Sequence, residues 1–168
     1  MKVVIADASP INYLILIDCI DVLRRLYGII VIPPEVLSEL TAEGAPEVVR
    51  SWMEERPDWI EVESAPEGMP IYAVLDAGEA AAIRLALAEP GSLFRSEFDE
   101  PDCLFLIDET EGRSVASRLR IPNTGTLGVL LEAARNGFVD LRLALDDLQR
   151  TNFRVRQSLI AQILADRR

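Results

Sequence analysis

The chain contains no histidine. That absence excludes Ser-His-Asp and Cys-His catalysis, histidine general bases and histidine-ligated metals. Polar catalysis must therefore run on carboxylates, hydroxyls and Lys or Arg. Cysteine is scarce too: Cys19 and Cys103 stand far apart and in no metal-ligand spacing. Without a secretion signal they read as small core hydrophobes rather than a disulfide or a zinc site. No apolar run approaches the roughly 20 residues that span a bilayer. The first residues also lack the basic segment and cleavage site of a signal peptide, so a cytoplasmic protein with no membrane partner is expected. Positive charge is in deficit, with 17 Lys and Arg against 28 Asp and Glu, a formal net charge of −11. This argues against a broadly basic surface for nucleic acid.

What is present is the composition of a folded protein, 49% hydrophobic and 27% charged over 168 residues, long enough for one substantial core. We expect a single domain over residues 1–168. Short apolar runs alternate with helical periodicity. Val3 to Ala6, Ile29 to Ile32 and Cys103 to Ile107 read as buried strands, and Trp59 to Glu63 as an exposed or edge strand. Helical spacing runs from Ile11 to Leu26, stopped by Gly28, then over Glu35 to Glu43, Pro46 to Arg56, Asp76 to Glu89, Glu111 to Leu119 and Thr126 to Asn136. Ile121 to Thr124 reads as a short strand. Leu141 to Leu148 and Val155 to Leu164 form an amphipathic helical tail, and residues 90–102 an irregular insertion. Alternating strands and helices predict an α/β fold with a mostly parallel sheet covered on both faces.

Acids stand at informative places in this pattern. Asp7 and Asp108 each follow an apolar strand, at the end where open α/β sheets place ligands. Glu79 shares a helical stripe with Ile83, Ala86 and Leu87, facing inward, where an unpaired carboxylate is costly. Glu39, flanked by Val36 and Leu40, lies nearest the sheet in the stripe Glu35, Glu39, Glu43, with Glu43 the fallback. Four carboxylates without histidine suit a hard cation such as Mg²⁺ or Mn²⁺. Such a site activates water and stabilises charge during phosphodiester hydrolysis, and like charges so close would repel without the metal. The acidic balance is no obstacle, because a metal-binding carboxylate cluster itself contributes negative charge.

Taken in order, Val4-Ile5-Ala6-Asp7-Ala8-Ser9-Pro10, Pro33-Pro34-Glu35-Val36-Leu37-Ser38-Glu39-Leu40, Asp76-Ala77-Gly78-Glu79-Ala80-Ala81-Ala82-Ile83 and Leu106-Ile107-Asp108-Glu109 resemble the successive motifs of PIN domains. Asn123 to Leu131 is similar to the segment that follows in a prokaryotic subgroup. The resemblance implies a three-layer α/β/α sandwich and a Mg²⁺- or Mn²⁺-dependent endoribonuclease acting on RNA. Many relatives are VapC-type toxins, neutralised by a small antitoxin and often homodimeric. Asp7, Glu39, Glu79 and Asp108 would form the acidic site, with Asp7, Glu79 and Asp108 on the metal. Ser9 would hydrogen-bond Asp7 or a bound water, and Thr124 or Thr126 would orient substrate or metal water, although helix capping accounts for such hydroxyls equally well. Glu109 and Glu111 leave the fourth acid open. The alternatives are a DNA or structure-specific nuclease using the same acids, and a PIN-like binding module without turnover.

Overall fold

The computed structural model describes residues 2–67, 74–88 and 103–166; the expected insertion at 90–102 lies outside them. Five short strands form the sheet: β1 (Val3–Ala6), β2 (Ile30–Ile32), β3 (Ile60–Val62), β4 (Cys103–Leu106) and β5 (Asn123–Thr124). All pair in parallel, in the order β3-β2-β1-β4-β5. Parallel strands need crossovers, and helices supply them. These are α1 (Ala8–Leu16), α2 (Asp21–Tyr27), α3 (Pro34–Thr41), α4 (Glu47–Glu54), α5 (Ala77–Ala88) and α6 (Thr110–Arg118); α7 (Thr126–Arg135), α8 (Leu141–Gln149) and α9 (Gln157–Ala165) follow the last strand. The result is the α/β/α sandwich expected from the alternating pattern.

Side chains alternate across the sheet and divide the core. Val4, Ala6 and Leu106 enter the larger layer with α1 to α4 and α7 to α9. Ile5, Phe105 and Ile107 enter the smaller layer with Ile83 and Ala86 of α5 and Val115 of α6. Because both faces of β1 and β4 are covered, these strands are apolar throughout. β3, at the sheet edge, leaves Glu61 and Val62 exposed.

The helix expected from Ile11 to Leu26 is two helices, and the physical cause is local. At the end of α1 the Cys19 N–H donates to the Leu14 carbonyl (2.8 Å) and the Asp18 N–H to the Ile15 carbonyl (3.0 Å). This is the Schellman pattern, with Asp18 at φ 56° where glycine is usual. Apolar spacing survives the break because α1 and α2 each bury their own residues, so periodicity does not reveal it. Elsewhere the expected elements are found with ends displaced by a residue or a few; β4 stops at Leu106 and β5 is only Asn123–Thr124.

Candidate metal centre

The chain leaves β1 outward to β2 and β3 on one side, while β4 and β5 lie on the other. The carboxyl ends of β1 and β4 are therefore the topological switch point of the sheet, where a crevice opens. Asp7 follows β1 there, its N–H donating to the Leu106 carbonyl at 2.9 Å, and Ile107, Asp108 and Glu109 follow β4. Register then sorts the acids. Ala6 stands opposite Leu106, so Asp7 aligns with Ile107. Continuing the alternation turns Glu109 to the side of Asp7 and Asp108 to the other.

Asp7 is 3% exposed. It occupies the N-cap position of α1, yet its side chain makes no cap hydrogen bond, and the buried Oδ1 has no partner at all among the described residues. A buried carboxylate oxygen without a donor is costly unless protonated or bound to a cation. Glu79, 4% exposed, stands in the first turn of α5. Its Oε2 accepts the Asp76 N–H (3.1 Å), while its own N–H donates to Asp76 Oδ1 (2.8 Å). This reciprocal capping box holds the glutamate rigidly. Glu109 is exposed and accepts the Ser9 hydroxyl at 2.6 Å, so Ser9 bonds Glu109 rather than the expected Asp7. Asp7, Glu79 and Glu109 each offer an oxygen within 4.8 Å of the others.

Glu39 approaches the same place from α3. A Cβ on Gly78 would lie 3.4 Å from both Asp7 Oδ1 and Glu39 Oε2, so the missing side chain lets α5 start between the two acids. On the far side, a Cβ on Gly112 of α6 would stand 3.1 Å from Glu79 Oε1 and overlap Ile107 Cδ1. The small residues shape the cradle. Asp108 is not one of the three clustered acids: Thr126 donates to it from the backbone (2.8 Å) and from the hydroxyl (2.7 Å). Thr124 packs its hydroxyl against Gly128. Glu43 and Glu111 are both exposed.

The electrostatics are those of a site suited to a cation. Burial, then the charges of Glu109, Asp76 and Glu39, push the Asp7 carboxyl up to about 8, against the Ala8 N–H. Burial likewise raises Glu39 and Glu79 above their ordinary values, with Asp76 and Glu109 adding to it. Asp108 is raised by burial and restrained by Thr126 and by the nearby Arg113 guanidinium. No Lys or Arg forms an ion pair with Asp7, Glu79 or Glu109 among the described residues. An all-oxygen donor set, an orphaned buried oxygen and no protein cation fit a hard divalent metal.

Sequence reasoning picked out Asp7, Glu79, Glu39 and Asp108, and left Glu109 beside Glu111 unresolved. It passed over Asp76, although the Asp-x-x-Glu spacing of a capping box was visible. No helix among the described residues is long and apolar enough to cross a membrane. No curated protein and no solved structure matches the chain. A family model described as PIN domain matches residues 3–167, almost the whole length, and the chain therefore belongs to the PIN-domain family.

Proposed function

We propose that this PIN domain is a Mg²⁺- or Mn²⁺-dependent endoribonuclease and the toxin of a toxin–antitoxin pair. PIN domains are generally metal-dependent nucleases, and the observation carrying that class here is the unpartnered Asp7 Oδ1 inside an acidic cradle. The restriction to RNA, the antitoxin and a homodimer rest on the likeness of the ordered motifs to VapC-type proteins. Asp7 and Glu79 would hold the cation, with Glu109 or Asp108 completing the set and Glu39 engaging through water. When bound, such a cation lowers the pKa of water and offsets charge building on the phosphoryl oxygens.

The chain's own groups do the remainder. The capping box fixes the Glu79 carboxylate before any ligand arrives, which lowers the ordering cost of binding. Ser9 holds Glu109 and Thr126 holds Asp108, each through its hydroxyl. Purified protein incubated with RNA and DNA in Mg²⁺, Mn²⁺ or EDTA tests the proposal, beside Asp7→Asn and Glu79→Gln. Cleavage of RNA that needs metal and disappears in both variants is expected. Cleavage of DNA alone would replace the RNA assignment, and no cleavage with no metal binding by calorimetry would leave a binding module.

A further inference from the structure

A second feature adjoins the acidic centre. Between α7 and the segment leading into α9 runs a groove of about 730 Å³, with Asp108 among its lining residues. Arg113, Arg154 and Arg156 line it, and Asp108 is its only acid among the described residues. In a chain of net charge −11 that concentration of arginine is contrary to the average surface. All three are exposed, and none has an ion-pair partner among the described residues. Arginines left free at a groove are available to a ligand, and the guanidinium fork matches phosphate oxygens in two-point contact. The walls between them are apolar: Leu131, Phe153 and Leu159, the last 41% exposed. Phe153 is fixed edge-to-face on Tyr13, with ring centroids 4.8 Å apart, and the Tyr13 hydroxyl donates to Asn152 at 3.0 Å. The start of α9 also opens on the groove, and no side chain caps it, which adds positive potential there.

We infer that this groove is the track for a single strand of nucleic acid, in which Arg154 and Arg156 hold phosphates while bases lie against the apolar wall. Alternating phosphate and base is the chemistry that uses guanidinium groups and exposed apolar faces together. A duplex keeps its bases stacked inside and would leave Leu159 and Phe153 without contact. The inference rests on the nuclease proposal for its endpoint, since the track delivers the strand to Asp108 and the acids beyond it. Arg154 and Arg156 are positioning residues, not catalytic ones.

The test is fluorescence anisotropy of labelled single-stranded RNA and DNA oligonucleotides and of a duplex, in EDTA so that binding is read without turnover. Wild type is compared with the Arg154→Ala/Arg156→Ala pair and with Arg142→Ala, an exposed arginine on α8 that does not line the groove. Affinity for a single strand should fall about tenfold for each arginine removed. The slope of log affinity against log salt should flatten by about 1.4, at roughly 0.7 per phosphate contact. Arg142→Ala should bind as wild type, and the duplex should bind more weakly than either strand. Hydrolysis of a small chromogenic phosphodiester with Mn²⁺, too short to reach the groove, should be unchanged in the arginine pair. Loss of strand affinity by the pair alone supports the track, whichever of RNA or DNA binds better. Unchanged affinity and salt slope overturn it, as does a wild type that binds no strand or an arginine pair altered only in self-association. Strand binding through the arginines without hydrolysis of any phosphodiester would keep the track and overturn the nuclease.

Discussion

Thr126 grips Asp108 twice, its backbone N–H on one carboxylate oxygen at 2.8 Å and its hydroxyl on the other at 2.7 Å. The pair joins the end of β4 to the first residue of α7, and Gly125 stands so close that a Cβ there would lie 2.6 Å from Asp108 Oδ1. Asp108 thus does for α7 what an N-cap side chain normally does, from the segment after β4 rather than from the preceding residue.

Thr126→Val keeps the shape of this fully buried side chain and deletes only the hydroxyl. A hydrogen bond to a charged acceptor contributes about 1.5–3 kcal/mol, so unfolding free energy should drop by about that amount in urea titration with the slope unchanged. Asp108→Asn keeps an acceptor for the Thr126 N–H and should cost less. Equal stability of Thr126→Val and wild type would show that the hydroxyl contact contributes nothing.

Glu79 carries two loads that a conservative change can separate. Gln at this position still accepts the Asp76 N–H, so Glu79→Gln should unfold within about 1 kcal/mol of wild type, because a capping box accepts either residue. Its affinity for Mn²⁺ by calorimetry should nevertheless collapse, and hydrolysis with it by about 100-fold or more, the scale of losing an electrostatic group at a reacting centre. Asp76→Ala should behave differently, costing about 1 kcal/mol of stability with a smaller loss of metal affinity. A Glu79→Gln protein that binds Mn²⁺ as wild type does would remove Glu79 from the metal set.

How far these features were legible depends on the range of the interaction. The buried strands and the inward Glu79 stripe are local patterns, and they appear in the structure where periodicity put them. The sorting of Asp108 from Glu109 is not local. It follows from the pairing of Ala6 with Leu106, and a shift of one residue would exchange the two acids between faces. Nothing in Leu106-Ile107-Asp108-Glu109 states that register. The break at Asp18 was hidden for a different reason: a left-handed C-cap usually announces itself with glycine or asparagine, and here an aspartate takes the position. The arginine groove joins α7 to the segment before α9, distant in sequence, so no window of the chain displays it.

Gly112 offers a test in which packing opposes propensity. Alanine is favoured over glycine inside a helix by about 1 kcal/mol, so an unobstructed site would gain stability. At Gly112 the added Cβ would overlap Ile107 Cδ1 and crowd Glu79 Oε1. Overpacking of this kind costs about 1–3 kcal/mol, so Gly112→Ala should lower the melting temperature and weaken Mn²⁺ binding together. Gly44→Ala, with nothing within 4 Å of its Cβ position, should do neither. A stabilised Gly112→Ala would mean that α6 can withdraw from the acids freely.

The Asp7 carboxyl makes stability and metal binding depend on pH in opposite directions. Its pKa is about 8 in the folded chain against an ordinary 3.8, so between these values the folded state keeps a proton that the unfolded state releases. Stability from this group is complete below about pH 4 and is lost as pH rises through 8; Glu39, Glu79 and Asp108 are raised and act in the same sense. In EDTA the protein should melt at a lower temperature at pH 8.5 than at pH 6.5. Asp7→Asn should flatten that difference and, at pH 8.5, exceed wild type by about 1–3 kcal/mol, the usual penalty of an unsatisfied buried group. A cation must displace the Asp7 proton, so Mn²⁺ affinity should climb about tenfold per pH unit below 8 and level off above it. At a Mn²⁺ concentration 100 times the Kd, about 2.7 kcal/mol returns to the folded state, which restores the melting temperature most at alkaline pH, where the ionised carboxylates repel one another hardest. Calorimetric titrations at pH 6, 7, 8 and 9 decide the matter: an affinity independent of pH would mean that Asp7 carries no proton for the metal to displace.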